Sequence, residues 1–420
     1  MRRQQRLRIA LVTDDFYPAS GGIGRSIQTQ ISELVSLGHE VTLLAPRHFL
    51  ERPTGCTTVV VPSFYIPGTP SHMCVLKCGR RSAWRICRQH RFDIIHSQTE
   101  RGGLMLAARI AKEQGIPHIH TFHANLAGTH TSQPFGAFWG SMAYLFLINP
   151  MISLIADKRL DQPVFFAPKS PDAPGILARF DWHTMATVAS RVDAFTAPAD
   201  FMTQRISDCA SWLDERSHIV PTGVNPNLSH AIAHTERHRT DRTDRTIRFL
   251  SVCRLAPEKR VDAIIRAFVQ ANLPNAELHI IGDGKQLKLR LLAEKHQGII
   301  FHGHVSCVKQ MAEAFVNADV FVLASHGFDT QAMTIGEAVT AGLPIIYCDP
   351  RLTIGTTKDN SILARDPSVE QLAAAMRQMA DDTRRRQMAR ASSRLASELS
   401  PEHMTHKYLT IYRDLIARTV

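Results

Sequence analysis

Cysteine is scarce, with eight residues in a chain of 420. The closest repeat, Cys74-x3-Cys78, has no second pair to complete a zinc site, and thiols this sparse do not make a disulfide scaffold. Reduced thiols in a cytoplasmic protein are expected. A secretion signal is also missing. The first residues are basic, but the apolar run Ile9-Ala10-Leu11-Val12 stops at Thr13-Asp14-Asp15, short of the core a signal needs. Acid is in short supply: 38 Asp and Glu stand against 49 Lys and Arg, a formal charge of +11. That balance points to an anionic partner, either nucleic acid, a phosphorylated ligand or an acidic membrane. No recognised nucleic-acid-binding motif is present, so nucleic acid is not the expected partner. Residues 77–91 hold six Lys or Arg and no acid, and residues 124–156 hold no Asp, Glu, Lys or Arg at all.

What is present reads as a folded protein of two domains. The hydrophobic share of 44% is ordinary, and 420 residues exceed what one compact domain usually reaches. Short strand-like segments at 8–12, 41–45, 59–62, 93–96 and 118–121 alternate with helical patterns at 26–37 and 103–114. The plan repeats with runs at 247–252, 277–281, 299–301, 320–323 and 344–347, and helices at 261–270, 287–296, 311–317 and 334–341. Such alternation predicts right-handed crossovers and a parallel sheet covered on both faces in each half. Residues 230–245 are polar, dense in charge and without apolar period, and are expected to be a linker or loop. A last helix from Pro401 carries Tyr408, Ile411, Tyr412 and Leu415 on one stripe.

Three stretches carry chemistry. Gly21-Gly22-Ile23-Gly24 follows the first strand and opens a helix, where backbone amides can approach a phosphate; a plain tight turn fits as well. Arg254 and Lys259 lie in a loop between strand and helix, and two cations there suit a diphosphate. Lys259 at the loop mouth is expected to matter little for folding. Asp329 lies in the loop after 320–323, and Glu337 falls in the following helix. Each carboxylate can accept two sugar hydroxyls, while the amides from Thr330 through Gln331 and Ala332 to Met333 face the same crevice. His96, His118 and His120 lie near strand ends and are read as hydrogen-bonded structural residues. Glu100 lies close by and takes no role in this reading.

At these residues the chain resembles the retaining glycosyltransferases of family 4, group 1, which have the α/β GT-B fold of two Rossmann-like, doubly wound domains facing across a cleft. Their Glu-x7-Glu pattern reads here Asp329-x7-Glu337-Ala338, then Ala341-Gly342-Leu343-Pro344. Arg254…Glu258-Lys259 is similar to their Arg-Leu-x-x-Glu-Lys, Gly282-Asp283-Gly284 to their Gly-x-Gly turn, and the stretch from Phe301 to Val305 to their base-binding strand and loop. Pro221-Thr222-Gly223-Val224-Asn225 resembles the handover between domains. Gly21, Gly22 and His123 match the acceptor-domain glycine loop and histidine. Departures are Asp329 for Glu, Cys253 and Ala332 for Gly, and Lys285 at a position often held by Pro. The wording around Asp329 looks most like the branch that glycosylates diacylglycerol or phosphatidyl lipids.

The resemblance implies an acceptor domain at 1–225 with helix 401–420 packing back on it, a linker at 226–246, and a nucleotide-sugar domain at 247–400. It implies a hexosyltransferase whose donor is a nucleotide diphosphate sugar of the UDP-glucose or GDP-mannose type and whose acceptor is a membrane lipid. Arg254 and Lys259 would neutralise the diphosphate, Glu337 bond the ribose, and Asp329 bond the transferred sugar. Gly21, Gly22 and Gly282 would admit the donor, the amides of Phe301 and Val305 read the base, and His123 orient sugar or acceptor. No Asp-x-Asp occurs, so no metal or other cofactor is expected. The basic run with Trp84 and Ile86, and the apolar run 138–155, suit an anionic membrane surface, although each can also be a solvated or buried helix face. Asn149-Pro150 is expected to break the apolar run. Peripheral attachment to the inner face of the cell membrane follows. A soluble or polysaccharide glycan acceptor, an epimerase of the same fold and a non-catalytic sugar-nucleotide-binding protein remain the alternatives.

Overall fold

The computed structural model describes residues 5–15, 21–47, 53–65, 74–132, 134–156, 162–170, 173, 175–236, 246–284 and 287–419. The chain divides into two compact units: Met1–Thr222 with Pro401–Val420, and Gly223–Ser400. Fifteen strands are assigned among the described residues: β1 Arg8–Val12, β2 Glu40–Ala45, β3 Thr57–Val60, β4 Ser63–Tyr65, β5 Cys74–Leu76, β6 Ile94–Ser97, β7 His118–Thr121, β8 Ala194–Ala197, β9 Ser217–Ile219, β10 Ile247–Val252, β11 Ala276–Ile281, β12 Ile299–Gly303, β13 Val320–Val322, β14 Ile345–Tyr347 and β15 Ser361–Leu363.

The first unit builds a parallel sheet in the order β3-β2-β1-β6-β7-β8-β9, with β4 and β5 as a separate antiparallel pair. The second builds a parallel sheet ordered β12-β11-β10-β13-β14-β15. In each, the chain winds outward from one central strand, returns, and winds out the other way. The order reverses between β1 and β6, and between β10 and β13. At such a reversal the loops leaving the two central strands part, which opens a crevice at their carboxyl ends. The central strands are mostly apolar because both faces are covered: Ile9, Leu11, Phe249, Val320 and Phe321 are fully buried.

The helix Pro401–Thr419 belongs to the first unit. Its Met404, Tyr408, Ile411, Tyr412 and Leu415 pack on Ile9, Ile31 and Val41. Three local readings change. The residues 230–245 expected as a loop, and the 226–246 linker, begin instead as a helix, Pro226–His234. Asn225 accepts from the amides of Asn227 and Leu228 and so caps it, and Leu228 and Ile232, four apart, bury against Phe315 and Val316. Residues 237–245 lie outside the described part. The helix expected at 26–37 starts at Gly22, because Gly21 at φ 64 turns the chain into it. Asn149-Pro150 does not break the apolar run. Pro150 follows directly on a π-helical turn at residues 144–148, whose wider spacing accommodates a residue without an N–H, and the helical path continues through Asn149–Ile155.

Candidate active site

In the second unit the two loops at the β10/β13 reversal carry six of the expected residues, Arg254, Lys259, Asp329, Thr330, Gln331 and Ala332. After β10 the chain passes Cys253 and Arg254 into a short 3-10 turn, Pro257–Lys259. Gly282 and Gly284 serve this loop. A Cβ on Gly282 would fall 1.8 Å from the Cys253 carbonyl oxygen, and one on Gly284 would fall 2.5 Å from that of Leu255. Both have strongly positive φ, and the Leu255 amide donates to the Asp283 carbonyl at 2.8 Å. The Gly-x-Gly turn thus lets the Arg254 loop lie flat against β11.

Lys259 Nζ reaches Asp329 Oδ1 at 2.5 Å, and the two side chains are only 14% and 11% exposed. Burial of Lys259 corrects its expected place at an open loop mouth. It is held from the other side by the ring of Phe328, 5.5 Å away. Asp329 Oδ2 is buried with no hydrogen bond. Arg254 donates to buried Glu258 at 3.0 Å while remaining 69% exposed, so its guanidinium is anchored at one edge and open at the others. Arg260, in the left-handed region at φ 49, donates to the carbonyls of Ala324 and Pro367 and ties this loop to the end of β13. Burial pushes the Cys253 thiol up to about 11, so it stands there uncharged.

The loop after β13 is pinned by Asp349, which accepts from the Gly327 amide at 2.8 Å and from Arg351 Nη2 at 2.7 Å. Burial opposes ionisation of Asp349, but its bonds with Arg351 and the Gly327 amide win and hold its carboxyl below the usual range. Thr330, Gln331 and Ala332 lead into the helix Met333–Thr340, whose N-cap, Ala332, has no side chain able to cap. The dipole and first amides of that helix favour an anion. Glu337 lies within it, buried among Ile335, Ala338 and Val339. Phe301 is on β12, the outermost strand of the sheet, with the Arg290 guanidinium 4.9 Å from its ring centre. Val305 packs partly against the core.

In the first unit, Gly21 and Gly22 open the helix Gly22–Ser36 with no side-chain cap. His123 follows β7, and its Nε2–H donates to Gln98 Oε1 at 2.7 Å. Gln98 Nε2 in turn donates to Gln30 Oε1, and Gln30 to Tyr412. His96 bonds Tyr412 and Thr121 at 2.6 Å each, and Ser97 bridges His118 and His120 at 2.8 Å each. The three strand histidines are therefore hydrogen-bonded, as read from the sequence. Burial lowers His123 to about 4 and holds His96 and His120 well below the imidazole range, so this network is neutral. The sequence reading missed Gln98, Gln30 and Ser97, whose only signal was their position at strand ends and on a helix facing them.

The first unit also exposes much apolar surface. Phe135, Trp139, Phe146, Leu147 and Leu154 are exposed, Leu154 by 84%. The helical stretch Phe135–Ile155 is long and apolar enough to cross a membrane, and only 17% of its most apolar window is buried. It is nonetheless tied down on one side: Ser141 donates to Asp181 at 2.7 Å, Asn149 to Thr184 at 3.2 Å, and Ile152 and Ile155 are buried. The basic run forms the helix Arg80–Gln89, which buries Ala83, Ile86 and Cys87. Ile86 thus belongs to the core and not to the exposed face, which holds Arg80, Arg81, Trp84, Arg85 and Arg88, with the Arg88 guanidinium 4.8 Å from the Trp84 ring centre. Among the described residues no group of three or more His, Cys, Asp or Glu could hold a metal ion.

Residues 20–228 match the Glycosyltransferase Family 4 domain, and residues 234–395 match the Glycosyl transferases group 1 domain. The chain is 26% identical to an alpha-monoglucosyldiacylglycerol synthase of Streptococcus pneumoniae, over 81% of this chain and 70% of that protein. It is also 26% identical to a GDP-mannose-dependent alpha-mannosyltransferase of Mycolicibacterium smegmatis, over 93% of each. Among solved structures, sucrose-phosphate synthase from Thermosynechococcus elongatus aligns over 98% of this chain and 100% of its own, with a TM-score of 0.70 at 15% identity. The fold is GT-B.

Proposed function

We propose, on the premise that this chain belongs to the glycosyltransferases of family 4, group 1, that it moves a hexose with retention of configuration from UDP-glucose or GDP-mannose to a diacylglycerol or phosphatidyl lipid. The observation that carries the lipid acceptor is the first unit's surface. One helix there turns five exposed basic or aromatic side chains outward without an acid, and another leaves Phe135, Trp139 and Leu154 uncovered. A globular surface rarely leaves that much apolar area open unless it meets a partner. An anionic bilayer satisfies both features at once, with arginines at headgroup level and aromatics below them. Attachment is peripheral, on the cytoplasmic face.

The donor side follows from the second unit. The diphosphate lies against the Arg254 guanidinium, the Lys259 ammonium and the amides opening the helix Met333–Thr340. These donors stabilise the charge that grows as the bond from C1 to the phosphate oxygen breaks. The acceptor oxygen bonds C1 from the same face, its proton passes to the departing phosphate, and the nucleoside diphosphate leaves. Glu337 holds ribose hydroxyls, and Asp329 holds hydroxyls of the sugar. His123, neutral and oriented by Gln98, orients the sugar or the acceptor.

The test is a transfer assay on purified protein with UDP-glucose and GDP-mannose against diacylglycerol vesicles, phosphatidylinositol vesicles and soluble glycans, with the product anomer assigned by NMR. An α-linked glycolipid is expected. Transfer to soluble glycans alone would overturn the lipid acceptor. Binding of the donor with no turnover would reduce the protein to a sugar-nucleotide-binding one.

A further inference from the structure

Glu100 lies in the loop after β6 and His120 on the neighbouring strand β7, next to the β1/β6 reversal of the first sheet, and nothing in the donor chemistry uses them. Glu100 Oε1 and His120 Nε2 face each other at 4.0 Å. Both atoms are buried, and neither makes a hydrogen bond. The separation is too long for a direct bond. Buried polar atoms are nearly always satisfied, so two orphans aimed at one another mark a place for a third group.

The chemistry of the gap is specific. A carboxylate only accepts. His120 Nδ1 is bonded to Ser97 Oγ at 2.8 Å, and when Ser97 donates there, Nε2 carries the ring proton and donates. In that tautomer the group that fits accepts from one side and donates to the other, as a hydroxyl does. An oxygen about 2.8 Å from each atom closes a triangle on the 4.0 Å base. In the same tautomer a cation would be repelled by the imidazole proton, and an anion by the carboxylate.

The surroundings keep the pair in place. Arg101 Nη2 meets Asp15 Oδ1 at 2.6 Å, and Asp14 accepts from the Leu76 and Gly103 amides and from Thr99. Tyr144, from the π-helical turn in the apolar stretch, lies close enough for its phenol to feel the charge on Glu100. The pair is thus linked to the surface assigned above to lipid. The charged and titratable groups around Glu100 are Asp14, Asp15, Arg101, His120 and Tyr144. Burial, with Asp15 and Asp14 adding to it against Arg101, pushes Glu100 up to about 7.

The geometry points to Glu100 and His120 as the pair that holds the acceptor hydroxyl, with Glu100 as its hydrogen-bond acceptor. This rests on the lipid-acceptor reading, and the ligand is an uncharged alcohol such as the free hydroxyl of a diacylglycerol.

The test compares wild type with Glu100→Gln, which keeps the shape and loses the charge, and Glu100→Asp, which keeps the charge one methylene back. Binding of dihexanoylglycerol by calorimetry and the rate of donor hydrolysis are read separately, each from pH 5.5 to 8.5. Wild-type binding should strengthen as pH rises through about 7. Glu100→Gln should bind about tenfold or more weaker above pH 7, with the pH step gone and donor hydrolysis within about twofold of wild type. Glu100→Asp should bind weakly but keep a pH step. Equal binding by wild type and Glu100→Gln, a pH step that survives in Glu100→Gln, or no wild-type binding would overturn the assignment and leave the gap to an ordered water. Lost binding in the variant with no glycosyl transfer by wild type would leave the pair standing and overturn the proposed reaction instead.

Discussion

Lys259 carries two duties that a pair of substitutions separates. It is salt-bridged to Asp329 at 2.5 Å in a setting where each side chain is nearly out of solvent, and it is one of two cations proposed to face the diphosphate. Replacing it by Met removes both. Asp329 would then be a largely buried carboxylate without its cation, and Oδ2 already has no hydrogen bond. Breaking such a pair from one side costs about 3 kcal/mol, or about 6–12 °C in the melting temperature of a unit this size. Turnover should fall at least ~100-fold, since a leaving-group contact of this kind is worth ~3 kcal/mol. Adding Asp329→Asn to Lys259→Met removes the stranded charge. The double variant should recover most of the melting temperature and none of the turnover. Calorimetry and a donor-hydrolysis assay on the four proteins of the cycle decide it. Near-normal turnover in folded Lys259→Met would refute the diphosphate role. Additive melting shifts in the double variant would refute the energetic weight given to the salt bridge.

Transfer should survive chelation if, as proposed, Arg254 and Lys259 take the place of a metal at the phosphates; abolition by EDTA with rescue by magnesium or manganese alone would contradict this. Reversing Arg81, Arg85 and Arg88 to Glu should release the protein from anionic vesicles at moderate salt, each cation being worth about 1 kcal/mol there, and equal sedimentation with neutral and anionic vesicles would remove the electrostatic part of the argument. Acid should destabilise the first unit. An unfolded imidazole titrates near 6.5, whereas folded His123 is lowered to about 4, so the unfolded state binds protons first and stability is lost as pH falls from about 6.5 towards 4. His123 alone accounts for about 3 kcal/mol of that loss. Urea midpoints that do not move between pH 7 and pH 4.5, or a His123→Asn variant with undiminished acid sensitivity, would count against it.

The parallel strands were legible: Arg8–Val12, His118–Thr121 and Ile247–Val252 read to the residue, the first from its apolar run and the others from the regular alternation of short strands with helical segments. Helix Pro226–His234 was not, because its two core residues lie among His and Asn that share no apolar stripe with them, and its cap works through a side chain ahead of the periodic part. The apolar run misled at Pro150 for a related reason. Proline breaks a helix only where an N–H is needed, and a π turn just before it moves that need elsewhere.

The candidate site divides the same way. Residue types and spacing singled out Arg254, Lys259, Asp329 and Glu337 as candidates, since cations and carboxylates at strand ends suit a diphosphate and two sets of hydroxyls. Partnership could not be read, because it depends on how far loops after different strands approach. The separation of 70 positions between Lys259 and Asp329 becomes 2.5 Å only because β10 and β13 are neighbours in the sheet. Glu100 and His120 become a pair in the same way, through the neighbouring strands β6 and β7. An isolated Glu among strand-end histidines carries no signal in the chain. Two orphaned atoms 4.0 Å apart do, because a buried carboxylate and a buried imidazole left without hydrogen bonds are costly unless something comes between them.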